Sequence, residues 1–138
     1  MGYVFTRAGA AFSWSSKLQS RPTQSSTEAE YLGLSHASKE AIWVKSQLSE
    51  LGVPPSGPLL LYGDNQGANA LMKEARFHDK SKHIQIPEHV ARHLVHQKEI
   101  VVDSIPSASM IADIITKSLP RIPFEKFRDA MGVVKMPT

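Results

Sequence analysis

The stretch "LLLYGDNQGAN", residues 59–69, joins a short apolar run to a turn and then to the start of a helical pattern. Such a run, ended abruptly by Gly63, is typical of a buried strand. Asp64 follows, a residue type that can cap a helix. A strand that leads directly into a helix predicts an α/β arrangement, and strand exits are where α/β folds place ligand sites. Asp64 therefore has two candidate roles, a helix cap and a site residue.

The composition predicts one soluble globular domain. The chain has 138 residues, of which 41% are hydrophobic and 21% charged, a balance that disordered and fibrous proteins do not show. Its apolar runs are too short to span a bilayer, and its N-terminus lacks the pattern of a secretory signal. It contains no cysteine, which excludes disulfides and thiolate metal sites. We expect an intracellular protein, cytoplasmic or nuclear, without a membrane partner.

Basic residues concentrate in the segment from residue 73 to residue 98, whereas the net charge of the whole chain is only +3. Two interpretations stay open for this segment, a solvated basic face and a surface that contacts nucleic-acid phosphates. The candidate nucleic-acid-binding residues are Lys73, Arg76, Lys80, Lys82 and His83.

Hydrophobic periodicity and turn residues predict strands mixed with helices, which favours a sheet with helices packed against it. The predicted strands lie at residues 3–6 and 10–18, joined in a hairpin by Arg7-Ala8-Gly9, and at residues 59–62 and 99–105. The predicted helices lie at residues 27–51, 65–75 and 86–97, around residues 110–115, and in a final segment that closes at Gly132.

Three acidic residues stand at predicted helix starts. Glu30 precedes Leu34 by four residues, so it extends the apolar stripe of the long helix; alternatively, Thr27-x-x-Glu30 is a capping box. Asp64 follows a strand, and Asp113 stands among isoleucines, which is unusual for an acid. Three carboxylates in one small α/β domain suit a site for hard divalent cations.

The motifs "SSTEAEYLGLSHASKEAIWVKSQLSELG", "LYGDNQGANALMKEARFHDKSKHIQI" and "ADIITKSL" occur in this order along the chain. Together they closely resemble the ribonuclease H domain at the end of the Pol polyprotein of copia-type retrotransposons. The resemblance implies a ribonuclease H-like mixed sheet flanked by helices over residues 1–132, followed by a tail at residues 133–138.

Members of that family cut the RNA strand of RNA–DNA hybrids with two Mg²⁺ ions held by four acidic residues. The resemblance implies that Glu30, Asp64 and Asp113 are catalytic metal ligands for Mg²⁺, with Mn²⁺ as a substitute. It also implies two partners, an RNA–DNA hybrid and the reverse transcriptase part of a Pol polyprotein.

One departure from the family concerns the first acid, which the family carries on an opening central strand upstream of the hairpin. In this chain the hairpin begins at residue 2, and no Asp or Glu precedes Glu28. We therefore expect a truncated domain that lacks the first strand, binds metal weakly, has little or no nuclease activity and is marginally stable. A non-catalytic nucleic-acid-binding module and a nonfunctional retrotransposon relic are the alternatives.

Overall fold

The computed structural model of the chain describes residues 1–74 and 86–138. In these ranges the chain is mixed α/β, as predicted. The strands are β1 (Gly2–Arg7), β2 (Ala10–Ser16), β3 (Leu59–Gly63) and β4 (Ile100–Ser104), and the helices are α1 (Ser26–Glu50), α2 (Gln66–Lys73), α3 (Ile86–His96) and α4 (Arg121–Ala130). Short 3₁₀ turns occupy Ser107–Ser109 and Ile111–Ile115. No helix in the described ranges is long and apolar enough to cross a membrane.

The chain divides into two compact units. The first unit combines Met1–Ser20 with Pro106–Thr138, and the second is Arg21–Ile105. Each unit contains a two-stranded sheet, antiparallel for β1 and β2 and parallel for β3 and β4. The single ribonuclease H-like domain over residues 1–132 and the tail at residues 133–138 stay predictions.

The predicted hairpin is confirmed in the first unit. Arg7 pairs with Ala10, so the turn consists of Ala8 and Gly9 alone. Both turn residues have positive φ, 52° and 80°, as a two-residue hairpin turn of type I′ requires. Gly9 adopts such a conformation without steric cost, whereas positive φ is uncommon for an alanine such as Ala8.

The helix predicted around residues 110–115 is instead the second of the two 3₁₀ turns, Ile111–Ile115. Its amides bond to carbonyls three residues back, as in the bond from Asp113 N–H to the Met110 carbonyl at 3.1 Å. Met110, between the two turns, is extended with φ −77° and ψ 94°, so helical hydrogen bonding does not continue from one turn to the next.

The predicted end of the last helix at Gly132 is confirmed. Gly132 has a φ of 74°, and its N–H donates to the Asp129 carbonyl at 2.9 Å while Val133 N–H donates to the Arg128 carbonyl at 3.2 Å. These two bonds form a Schellman motif, which ends a helix by satisfying its last carbonyls. A Cβ at Gly132 would also lie 2.9 Å from the Cβ of Ala10, so a side chain is excluded for a second reason.

The core of the second unit lies between its helices and one face of the parallel sheet. Leu61, Ile100 and Val102 are buried, whereas Leu60 and Val101 on the opposite face are half-exposed. Helix α1 contacts α2, α3 and β3, so it forms the largest part of the covering layer.

The predicted apolar stripe of α1 is confirmed over most of its length. Leu34 and Val44 are buried, as are the alanines between them on the same face. The extension to Leu51 is wrong, because α1 ends at Glu50 and Leu51 is 75% exposed. Gly52 has a φ of 77° there and turns the chain away from the helix axis.

A buried charged cluster was not predicted from the sequence. Glu88 in α3 is 1% exposed and forms an ion pair with Arg21 from the segment before α1. Arg92, also buried, places its guanidinium carbon 5.5 Å from the centroid of the Tyr31 ring. Burial raises the pKa of the Tyr31 phenol, and the positive charge of Arg92 lowers this pKa by a smaller amount. The cluster therefore joins α1, α3 and the chain that precedes α1.

Removing the charge of Glu88 should destabilise the protein strongly. In Glu88→Gln, the half-buried Arg21 loses its anion, and breaking a buried pair in this way costs about 3–5 kcal/mol. Urea denaturation followed by circular dichroism measures the loss. The matched control is Glu99→Gln, which breaks the more exposed pair with Lys45 and should cost less than about 1 kcal/mol. Equal losses of stability from the two variants would show that the ion pair of Glu88 contributes no more than an exposed ion pair does.

The raised pKa of Tyr31 predicts a loss of stability at alkaline pH. Above pH 10, the ordinary tyrosine value, the unfolded chain loses this proton while the folded chain retains it. Unfolding is then favoured by up to about 1.4 kcal/mol for each further pH unit until the folded-state pKa is passed. Urea denaturation between pH 8 and pH 11 should show a shallower decline for Tyr31→Phe than for the wild type. Tyr62→Phe, at a half-exposed tyrosine, should leave the wild-type decline unchanged.

Candidate metal centre

The start of α1 is held by hydrogen bonds to the side chains of Ser25 and Glu28. The Ser25 hydroxyl accepts a hydrogen bond from the Glu28 N–H at 3.1 Å, and the Glu28 carboxylate accepts one from the Gln24 N–H at 2.8 Å. The predicted box of Thr27 and Glu30 is wrong, because α1 begins at Ser26 and Ser25 takes the N-cap. Helix capping therefore does not explain the acid at position 30.

Glu30 lies in the first turns of α1 and is exposed. The expectation that Glu30 extends the apolar stripe is wrong, because Tyr31 occupies that face instead. Tyr31 and Glu30 precede Leu34 by three and four residues, so both are close to the stripe. The tyrosine takes the buried position because burying a carboxylate costs more free energy. An exposed carboxylate at a fixed helix start is accessible to a cation in solution.

Asp64 lies between Gly63, the last residue of β3, and Asn65, which precedes α2. The N-cap of α2 is Asn65, whose side chain accepts a hydrogen bond from the Ala68 N–H at 2.9 Å. The capping role considered for Asp64 is therefore wrong, since its neighbour performs it. Asp64 is half-buried at the carboxyl end of a parallel strand, the position at which α/β folds bind ligands.

A contact between the first turns of α1 and α2 brings Glu30 and Asp64 to the same end of the second unit. The Thr27 hydroxyl donates to the side-chain oxygen of Asn65 at 3.5 Å. Gly67 permits the approach, because a Cβ there would lie 3.2 Å from the methyl carbon of Thr27. Glu30 follows Thr27 by three residues on the helix surface, a separation of about 5–6 Å between Cβ atoms. Asp64 immediately precedes Asn65.

Asp113 belongs to the first unit, in the 3₁₀ turn Ile111–Ile115. Its carboxylate is 15% exposed and forms an ion pair with the ammonium group of Lys117 at 3.0 Å. Glu30 and Asp64 belong to the second unit, so the joint action of Asp113 with them stays a prediction.

The donor chemistry of Glu30 and Asp64 fits Mg²⁺. Carboxylate oxygens are the ligands that this ion prefers, and Mg²⁺ sites often use one or two carboxylates and several waters. Asp64 adjoins the N-cap Asn65, and Glu30 lies within the first two turns of the capped helix α1, so the backbone at both positions is well defined. Within residues 1–74 and 86–138, no group of three or more His, Asp or Glu side chains could hold a metal ion.

The predicted nucleic-acid surface is only partly described. Lys73 is exposed at the end of α2. Arg76, Lys80, Lys82 and His83 lie outside the described residues. The basic surface therefore stays a prediction.

Comparison with known proteins identifies relatives that match nearly the whole chain. A retrovirus-related Pol polyprotein from transposon RE2 of Arabidopsis thaliana is 38% identical over 136 residues, which are 99% of this chain and 9% of that protein. The Pol polyprotein from transposon TNT 1-94 of Nicotiana tabacum is 39% identical over 132 residues, or 96% of this chain and 10% of that protein. The chain is homologous to a segment of retrovirus-related Pol polyproteins from transposons.

The chain spans about a tenth of the length of the curated relatives that it matches. No family model matches the chain. No solved structure matches it either.

The assignment of Ser25 as the N-cap of α1 can be tested by removing its hydroxyl. Ser25→Ala should lower the free energy of unfolding by about 1 kcal/mol, since it leaves helix-start N–H groups without their acceptor. Ser26→Ala is the matched control at the adjacent exposed helical position, and it should change stability by less than about 0.5 kcal/mol. Urea denaturation measures both variants. A larger loss from Ser26→Ala than from Ser25→Ala would contradict the assigned N-cap.

Proposed function

We propose that this Pol-derived chain is the ribonuclease H domain of a copia-type retrotransposon, in a family that hydrolyses the RNA strand of RNA–DNA hybrids. The observation that carries the proposal is the contact between Thr27 and Asn65, which brings Glu30 and Asp64 to one end of the second unit. These two acids match the catalytic positions of the family motifs, and neither caps its helix.

Phosphodiester hydrolysis requires an activated water and stabilisation of the departing 3′ oxygen, and a pair of bound Mg²⁺ or Mn²⁺ ions supplies both. Glu30 and Asp64 would hold the metal, with Asp113 as the third carboxylate in the proposal. The contribution of the chain in this proposal is to position these oxygens, because α1 and the end of β3 fix the backbone that carries Glu30 and Asp64.

Contacts to the hybrid are assigned to the basic segment. Lys73, together with Arg76, Lys80, Lys82 and His83, would bind phosphates of the RNA–DNA hybrid without base specificity. In the longer polyprotein, the neighbouring partner would be the reverse transcriptase part, which produces such hybrids.

The proposal includes weak metal binding and little or no cleavage by residues 1–138 alone. The family uses a fourth acid on an opening central strand, and residues 1–27 of this sequence contain no Asp or Glu. In the described structure β1 pairs only with β2, and β3 only with β4, so each sheet retains an edge that another strand could extend. A further strand that carries an acid would supply both additional pairing and a fourth carboxylate.

A cleavage assay with a labelled RNA strand in an RNA–DNA hybrid tests this function. The chain alone should cleave weakly or not at all with Mg²⁺ or Mn²⁺. The same chain extended at its N-terminus by the family's acidic strand should cleave, because the metal site is then complete. In the extended protein, Asp64→Asn should reduce the rate at least about 100-fold.

Asp129→Asn in α4 is the matched control, an identical chemical change at an exposed residue whose carboxylate pairs with neighbouring Arg128. It should leave the cleavage rate unchanged. Cleavage by the extended protein that survives Asp64→Asn would remove Asp64 from the metal site. A folded extended protein that binds hybrid without cutting it, with affinity that falls steeply as salt rises, would be a non-catalytic binding module.

A further inference from the structure

Asn69 joins the ends of the two parallel strands. It lies in α2 and is 2% exposed. Its side-chain amide donates one hydrogen bond to the Gly63 carbonyl at 3.0 Å and another to the Ser104 hydroxyl at 2.9 Å. Gly63 and Ser104 are the last residues of β3 and β4 and stand opposite each other in the sheet. A single buried amide therefore connects both strands at the end where Asp64 leaves β3.

The hydrogen bonds on the Gly63 carbonyl fix the orientation of the peptide group that leads to Asp64. This carbonyl accepts from the Asn69 amide and also from the Ile105 N–H, at 3.1 Å. The Gly63 carbonyl and the Asp64 N–H belong to one planar peptide unit. Two donors on the carbonyl therefore restrict the rotation that sets the direction in which Asp64 leaves the strand.

The presence of Asn69 determines which residue fits at position 63. A Cβ at position 63 would lie 2.2 Å from the side-chain oxygen of Asn69, so no larger residue fits while Asn69 is present. Gly63 is not among the glycines with positive φ, hence its requirement comes from this close approach and not from backbone conformation. The strand end is built around the asparagine.

Stability alone does not account for the asparagine. Its side-chain oxygen is buried and has no hydrogen-bond partner among the described residues, an arrangement that is destabilising. An apolar side chain in the same helix would avoid that cost. The gain that remains is a defined geometry at the strand end, which satisfied buried donors provide.

We propose that Asn69 is a positioning residue that fixes the peptide unit between Gly63 and Asp64 and thereby aims the Asp64 carboxylate at a bound cation. The step to the cation rests on the proposed function. The restraint of the strand end by Asn69 does not rest on that function, and it can be measured without metal.

The test compares Asn69→Ala and Ser104→Ala with Val44→Ala in the full chain. Val44 is buried in α1, and its truncation lowers stability through packing alone. Amide hydrogen exchange is measured at Ile105, whose N–H bonds to the Gly63 carbonyl, relative to Val102 within β4. Mn²⁺ affinity is measured in parallel from the electron paramagnetic resonance of the free ion.

Asn69→Ala should speed exchange at Ile105 relative to Val102 at least about 10-fold, because the carbonyl loses its second donor. It should weaken Mn²⁺ binding about 10–100-fold, the usual effect of removing a residue that orients a metal ligand. Ser104→Ala keeps the bond between Asn69 and Gly63, so it should shift both quantities in the same direction by less. Val44→Ala should leave both within about two-fold of the wild type despite a lower melting temperature.

An exchange ratio in Asn69→Ala equal to that of the wild type would overturn the proposal. Equal weakening of Mn²⁺ binding by Val44→Ala and Asn69→Ala would also overturn it, since lost stability would then suffice. If Asn69→Ala does not fold, Ser104→Ala decides by the same two measurements. Asp64→Asn separates the two claims: unchanged Mn²⁺ affinity in that variant would count against the proposed function, and the exchange ratio alone would then judge Asn69.

Discussion

The parallel pairing of β3 with β4 is the constraint on which the second unit depends. A two-stranded sheet is marginal by itself, and parallel strands occur where helices cover them. In this chain α1, α2 and α3 all contact that pair or each other, and the inward face of the sheet is buried. Because α1 packs beside β3 with its first turn against the start of α2, the same packing that stabilises the sheet also determines where Glu30 and Asp64 lie.

Local signals predicted the elements whose geometry is decided by adjacent residues. The hairpin turn and the helix end both require positive φ, and the glycines at positions 9 and 132 adopt it without steric cost. The long helix was predicted to within one residue at each end, since its apolar periodicity extends over many turns. The mixed α/β class followed from these elements.

Choices between neighbouring residues of similar chemistry could not be predicted. Ser25 and Thr27 each precede a glutamate by three residues, so the sequence offers two possible N-caps, and in the structure the earlier one caps α1. Asp64 and Asn65 are both good caps, and only the position of the first turn of α2 assigns the role. The buried pair of Arg21 and Glu88 joins residues far apart in sequence, which no local pattern reveals.

The two carboxylates proposed for the metal in the second unit are acids that capping does not use. Asp113 differs, because its carboxylate pairs with Lys117 one turn later, and the lysine side chain is 53% exposed. A pair of this kind contributes at most about 1 kcal/mol, since water solvates the ammonium group almost as well. A divalent cation with two positive charges at the same carboxylate would displace the lysine at little cost. The ion pair is therefore compatible with the ligand role proposed for Asp113, and it orders the side chain while no cation is bound.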